Sequence, residues 1–344
     1  MKCEVTIALP VYNAEKYICR ALDTILNQTF KDLELLIVDD CSSDGTVSLI
    51  EKIQKTHPRG NVIRLLRQEK NTGPSGARNR MIDEAQGRFL YFMDADDTIP
   101  VNSISTLYES AILHHADVVY GSYKLIEIYD KHRNAYRYQY PLKVFHKKGA
   151  LANYAYRHYG KFQAQVWNVL IDLEFLRKTG LRFISARFWE DMAFTYDLVS
   201  YVNCGVLLPF ITYNYLCRPN TLSNYHDRDI IPRSEIEQNI STNDHIKLGC
   251  LELIDRTYVG YRSYDLMMNS FYIVCQIIQA RHKIVPSFSD EEIRLIMYHP
   301  LPLRVILRSH RRLLGNLLLW TLGHLPIRLF IPTIKLIGKL KRVL

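Results

Sequence analysis

Five short apolar runs, at residues 4–9, 33–38, 62–66, 89–93 and 118–121, alternate with stretches of helical spacing at 14–28, 44–55, 75–86 and 103–114. This pattern builds βαβ units, because a short apolar run bounded by turn residues is fully covered only when helices pack on both faces of its sheet. The fold class is therefore α/β, with a Rossmann-like, mostly parallel sheet and flanking helices. Asp44 and Ser75 stand where the N-caps of two helices are expected. Sheets of this kind bind ligands outside the carboxyl ends of their strands. The polar residues that follow each apolar run are the ones to search for chemistry.

Beyond this core, residues 122–148 are rich in Tyr, Lys and Arg and form an excursion: a hairpin, a flexible loop over a site, or a solvated surface insertion. Residues 149–218 continue as mixed α/β, and 230–281 are largely helical. No internal repeat or low-complexity linker interrupts the chain.

The net charge of +9 is concentrated at one end. Residues 293–344 hold ten Lys and Arg and no Asp or Glu, leaving 34 basic against 35 acidic residues in the remainder. A nearly neutral body with a basic tail excludes a general affinity for nucleic acid. Residues 313–327 carry no formal charge, but Asn316, His324 and Pro326 interrupt the run, which falls short of a spanning helix. Pro326 and Pro332 are expected to break the helix. An amphipathic, basic segment containing Trp320 fits one lying on an anionic membrane surface. The competing readings are a terminal helix packed on the body and a true span. Seven scattered cysteines without a Cys-x-x-Cys pair suggest reduced thiols in a cytosolic compartment. The apolar segment at 5–9 is too brief for a signal-peptide core, so an unexported body is expected.

Two acidic clusters follow strands. The run 33–38 leads into Asp39 and Asp40, with Asp44, Gly45 and Thr46 close behind. Carboxylates there accept hydrogen bonds from a nucleobase N–H and from ribose hydroxyls; for Asp44, helix capping is the simpler reading. The run 89–93 leads into Asp94-Ala95-Asp96-Asp97. In an extended backbone Asp94 and Asp96 would point the same way, and like charges so close call for a hard divalent cation shared with a diphosphate. The alternative is an acidic surface turn. Asn71-Thr72-Gly73-Pro74 precedes a helix and permits close backbone approach, while Arg78 offers a forked donor to phosphate or carboxylate. Glu190 and Asp191 open another helix, where the helix dipole alone would favour them; Asp191 facing a pocket would be a general base.

Together these segments resemble the family 2 glycosyltransferases of bacterial surface-polysaccharide synthesis. The matching residues run in the family's order: Pro10-Val11-Tyr12-Asn13, Val38-Asp39-Asp40 through Gly45-Thr46, Asn71 and Gly73 with Ala77-Arg78-Asn79, Asp94-Ala95-Asp96-Asp97, and Glu190-Asp191. The resemblance covers residues 1 to about 225 and is strongest over the first 125. It implies a GT-A nucleotide-diphospho-sugar-binding domain at 1–225, followed by a helical extension at 226–298 and a basic amphipathic membrane-associating tail at 299–344. Pro10, Tyr12, Asn13, Asp39, Asp40, Asn71, Gly73, Arg78, Asp94 and Ala95 would bind the nucleotide-sugar, with help from Arg218. Asp96 would ligate Mn²⁺ or Mg²⁺, with Asp94 and His226 as further candidate ligands. Asp191, beside Glu190, would be the base of a single inverting displacement. The family often has Trp-Asn-Lys ahead of its Glu-Asp pair, whereas this chain reads Trp167-Asn168-Val169.

The expected activity is thus transfer of a sugar from a UDP- or GDP-sugar to a hydroxyl of a saccharide acceptor, lipid-linked if the tail rests on the inner face of the cytoplasmic membrane. A nucleotidyltransferase would need a glycine-rich basic first loop, and residues 10–15 hold neither Gly nor Lys or Arg. A non-catalytic membrane scaffold would turn over no donor.

Overall fold

A computed structural model describes residues 2–129, 132–159, 164–186, 189–217 and 230–342. In chain order it begins β1 (Cys3–Val11), α1 (Ile18–Leu26), β2 (Leu33–Asp39), α2 (Thr46–Thr56), β3 (Ile63–Arg67), α3 (Gly73–Glu84), β4 (Gly87–Phe92) and α4 (Ser103–His114). There follow β5 (Val118–Tyr129), β6 (His132–Tyr138), β7 (Lys143–Phe145), α5 (Ala150–Tyr159), β8 (Val169–Asp172), α6 (Leu173–Thr179), α7 (Glu190–Tyr201) and β9 (Gly205–Cys217). The remainder comprises β10 (Ile231–Pro232), α8 (Arg233–Leu248), α9 (Val259–Ala280), β11 (Ile284–Val285), α10 (Asp290–Ile296), α11 (Leu303–Ser309), α12 (Leu313–His324) and α13 (Ile327–Leu340).

Two compact units result. The first comprises Met1–Leu151, Gln165–Arg187 and Tyr201–Ser223; the second comprises Ala152–Ala164, Phe188–Ser200 and Asn224–Leu344. The first unit holds a nine-stranded sheet ordered β3-β2-β1-β4-β8-β5-β9-β7, with β6 paired to β5. The pairs β1–β2, β2–β3, β1–β4 and β5–β9 are parallel, and β8 is antiparallel to both β4 and β5. Six strands therefore run one way and β6, β7 and β8 the other, which is the mostly parallel GT-A arrangement that the resemblance implies. In β2 every residue but Glu34 is buried, as expected of a strand covered on both faces. The core includes Ile7, Leu9, Leu22, Ile25, Leu35, Ile37, Tyr91 and Val119.

The excursion proves to be a hairpin: β5 runs on past Gly121 to Tyr129, and β6 returns along it with Tyr123 opposite Tyr138. Two local expectations fail. Ser75 is not a cap; α3 begins two residues earlier at Gly73, and the Ser75 hydroxyl donates to the Ala186 carbonyl at 3.0 Å. The N-cap position of α2 is Gly45, yet Asp44 still accepts the Thr46 N–H at 3.0 Å.

The second unit is helical around a core that includes Phe271, Ile277, Ile293, Leu319, Leu322, Phe330 and Ile334. Residues after 299 thus contribute to this core: Asn316 on α12 donates to Gly260 O on α9 at 2.8 Å and accepts from the Ser263 hydroxyl at 3.1 Å. Pro326 caps α13, as a break there predicts, but Pro332 sits inside α13 without ending it. Proline in a helix interior removes one backbone bond. The buried Ile334 and Gly338 beyond it keep the following turns packed. Among the described residues no helix is long and apolar enough to cross a membrane.

Candidate active site

The loops after β1 and β2 are laced together. Asn13 N–H donates to Ser42 Oγ at 3.0 Å, Ser43 N–H to Asn13 Oδ1 at 2.9 Å, and Ala14 N–H to Thr46 Oγ1 at 2.8 Å. Gly45 N–H donates to Glu15 Oε2 at 3.0 Å, and Glu15 N–H to Asp44 Oδ2 at 3.1 Å. Asn13 holds a left-handed backbone at φ 48°, a conformation Asn tolerates better than most residues. This lacing holds the end of β1, where Pro10 is half-buried and Tyr12 is 56% exposed, against the loop after β2.

Asp39 and Asp40 are both buried. Asp39 accepts the Ser42 N–H at 3.2 Å. Asp40 takes Thr72 N–H on Oδ1 and Gly73 N–H on Oδ2, each at 2.8 Å, and Gln68 Nε2 on Oδ1 at 3.0 Å. Asn71 completes the connection by donating to Asp40 O at 3.0 Å. The first task of Asp40 is therefore to shape the loop before α3. Gly73 is required there by its backbone, since φ is +73° and a Cβ would meet nothing within 4 Å. One turn on, a Cβ at Gly76 would collide with the Thr72 side chain.

Strand β4 ends at Phe92, and Asp94 to Asp97 form a turn closed by Asp97 N–H to Asp94 O at 3.2 Å. The two-residue alternation that would aim Asp94 and Asp96 alike therefore does not operate: the backbone has left the strand. The three carboxylates separate instead by environment. Asp97 is fully buried; it accepts the Tyr213 hydroxyl at 2.7 Å and Leu216 N–H at 2.8 Å, which ties the turn to β9. Burial first, and then the charges of Asp94 and Asp96, hold its carboxyl well above the ordinary carboxylate range. Tyr213 also accepts the Asp94 N–H at 3.2 Å. Asp94, 31% exposed, pairs with Arg78 at 3.2 Å. Arg78 is itself buried over the Phe183 ring, so the fork expected for phosphate or carboxylate meets a carboxylate. Ala95 and Asp96 are half-exposed in the same turn, and Arg20 donates to Asp96 O at 3.0 Å.

Among the described residues no three His, Cys, Asp or Glu side chains gather as a metal-holding group. The turn nevertheless suits Mg²⁺ or Mn²⁺, which one or two carboxylates hold when substrate phosphates and water complete the shell. Asp94 and Asp96 are the carboxylates of the turn that would do so, with Arg78 paired to Asp94. Asp97 is consumed by structure.

Glu190, buried, and Asp191, half-buried, lie in the first turn of α7, in the second unit. Arg262 secures that helix by donating to Asp197 Oδ1 at 2.9 Å from a fully buried position on α9. Arg218 and His226 lie outside the described residues. Sequence reasoning missed Tyr213 and Asn168. Asn168 is buried with φ 63°; it donates to Gly121 O at 2.6 Å and accepts from Thr212 Oγ1 at 2.6 Å, joining β5 to β9. The only sequence signal was its place in the Trp167-Asn168 pair.

Residues 6–170 match the model of glycosyl transferase family 2. The chain carries a family 2 glycosyltransferase domain. Over 115 residues it is 36% identical to the GalNAc(5)-diNAcBac-PP-undecaprenol beta-1,3-glucosyltransferase of Campylobacter jejuni, covering 33% of this chain and 37% of that one. It is 27% identical to the uncharacterized glycosyltransferase EpsJ of Bacillus subtilis over 334 residues, 95% of both chains. The fold of this domain and its helical extension is similar to that of Staphylococcus aureus TarS 1–349 in complex with UDP, with TM-score 0.65, 18% identity, and coverage of 93% of this chain and 90% of that one. The alignments at 34–36% identity with two Streptococcus pneumoniae glycosyltransferases and the Campylobacter enzyme span 17%, 38% and 37% of those proteins' lengths.

Proposed function

We propose that the chain is an inverting, divalent-cation-dependent glycosyltransferase that moves a sugar from a UDP- or GDP-sugar to a hydroxyl of a lipid-linked saccharide. The observation that carries this reading is the half-exposed Asp94–Asp96 turn beyond β4, beside the laced loops of β1 and β2. Tyr12, Asp39 and Asp40 border the base and ribose position, and the Asp40-held loop at 71–73 presents backbone near the diphosphate. UDP is the favoured nucleotide, because structures of the similarly folded TarS hold UDP and UDP-GlcNAc. The Campylobacter relative is named for an undecaprenol-linked acceptor, which supports a lipid-linked saccharide here.

Asp96, with Asp94, would hold Mn²⁺ or Mg²⁺, which when bound neutralises charge developing on the departing diphosphate. Arg78 keeps Asp94 oriented. Asp191 accepts the proton of the attacking hydroxyl, with Glu190 next to it in the first turn of α7. The tail supplies a location: Leu314, Leu318, Leu329, Leu336 and Leu340 are exposed beside Arg328, Lys335, Lys339 and Lys341, a composition suited to the anionic inner face of the membrane. Replacing Asp191 by Asn tests the chemistry. UDP affinity should persist while transfer is lost; transfer at the wild-type rate would remove Asp191 as base.

A further inference from the structure

One aromatic row in the sheet unit has no part in the reading above. Tyr213 and Tyr215 are two residues apart on β9; Tyr123 on β5 is in register with Tyr213, and Tyr138 on β6 with Tyr123. Paired residues share a sheet face, as do residues two apart on a strand, so these tyrosines stand on one face. Trp167 packs among them. Its ring lies parallel to Tyr213 at 4.4 Å, nearly parallel to Tyr215 at 5.4 Å, and edge-on to Tyr123 at 4.9 Å. Tyr123 in turn stacks on Tyr138 at 5.0 Å. Trp167 and Tyr213 are buried, whereas Tyr215, Tyr123 and Tyr138 keep part of their rings in solvent. Tyr136, across from Leu125 on the same face, is 56% exposed.

The row starts at the aspartate turn. Tyr213 is the residue bonded to Asp97 and Asp94, and Tyr215 follows it two residues on along β9. From there the rings run along the hairpin. In the sheet, β4 stands between β1 and β2 on one side and β5 and β9 on the other. The row therefore lies across the turn from Asp39 and Asp40, where the nucleotide is assigned.

We infer that Tyr215, Tyr123, Tyr138 and Tyr136 form a stacking platform for the saccharide rings of the acceptor; this rests on the glycosyltransferase reading. A pyranose ring presents a C–H face that packs on an aromatic ring, and its edge hydroxyls find the tyrosine hydroxyls. Tyrosines with two side-chain torsions lose little entropy on engagement. A core role explains Trp167 and Tyr213, and in part Tyr123 and Tyr215, which pack against the same core. It does not explain rings left open along a hairpin that extends beyond β8, which pairs only with Val118 to Tyr120.

The test uses free chitotriose, cellotriose and laminaritriose as probes, observed by saturation-transfer difference NMR on the full chain with UDP present. Ring protons of at least one probe should receive saturation from the wild-type protein. That signal should fall about fivefold in Tyr138→Leu and in Tyr136→Ala, the worth of one stacking contact, and largely return in Tyr138→Phe. UDP affinity should stay within about twofold throughout, because the nucleotide contacts are separate. Equal saturation in the Leu and Ala variants, no probe binding to wild type, or equal loss in Tyr138→Phe would overturn the platform. Failure of the wild type both to bind UDP or GDP and to turn over any UDP- or GDP-sugar would instead overturn the transferase reading beneath it.

Discussion

Asp40→Asn is the sharpest probe of how the nucleotide side of the site is built. The substitution preserves shape but turns one carboxylate oxygen into an NH2 group. In the less disruptive orientation the amide oxygen keeps Thr72 N–H and Gln68 Nε2, and the new NH2 confronts the Gly73 N–H that now donates to Oδ2 at 2.8 Å. One bond to a charged acceptor is lost, about 1.5–3 kcal/mol, and two buried donors face each other, about 1–3 kcal/mol more. Taking a sum near the lower end, about 3 kcal/mol, Tm should fall by about 6–12 °C for a unit of roughly 200 residues. Scanning calorimetry reads the shift, and titration with UDP on the same samples should show weaker binding as the 71–73 loop loses its anchor. A Tm within about 1 °C of wild type, with UDP affinity unchanged, would refute the assignment of Asp40 as the loop's anchor.

Other outcomes follow from the same contacts. Gly73→Ala should cost about 1–2 kcal/mol from its left-handed backbone alone, whereas Gly76→Ala, which drives a Cβ into Thr72, should also weaken UDP binding; equal UDP affinities in the two would contradict this. His299 accepts Leu301 N–H at 3.1 Å and faces Asn316 Oδ1, and burial pushes its pKa down to about 4, below the ordinary 6.5. Its folded pKa being depressed, the second unit should hold this contribution above pH 6.5 and lose it as pH falls toward 4, by up to about 3 kcal/mol. His299→Gln should flatten that stretch of a chemical-denaturation profile, and an unchanged slope would count against it. Replacing Arg328, Lys335 and Lys339 together by Gln should weaken sedimentation with phosphatidylglycerol vesicles by about a hundredfold, at about 1 kcal/mol per charge; undiminished binding would point to another anchor.

Much of the sheet was legible because periodicity reports burial: β1, β2 and β4 are buried over most of their length, while β3 at the sheet edge buries Ile63 and keeps the rest partly covered. The boundaries of α4 were read as observed, and those of β1 to β4 to within two residues. The insertion of antiparallel β8 between β4 and β5 was not legible, since four residues at Val169–Asp172 carry no signal about which neighbours they take. At the site, residue types were readable and their division of labour was not. Asp97 looks like Asp96 in sequence; the Tyr213 hydroxyl and Leu216 N–H, more than a hundred residues on, make it structural. The loop-anchoring task of Asp40 was not legible, because the N–H groups it binds belong to every residue and leave no mark in a sequence. The tail was readable as basic and amphipathic, but burial of Phe330 and Ile334 against α9 and α10 depends on partners that composition does not name.

The central claim is metal-assisted transfer from a nucleotide-sugar at the Asp94–Asp96 turn. Its most direct test is release of nucleoside diphosphate from a panel of UDP- and GDP-sugars, with Mn²⁺, Mg²⁺ or EDTA, for wild type and Asp96→Ala. The account predicts metal-dependent release from at least one donor, strengthened by a lipid-linked saccharide, and its loss in Asp96→Ala. No metal-dependent release from any donor, or full activity in Asp96→Ala, would contradict it.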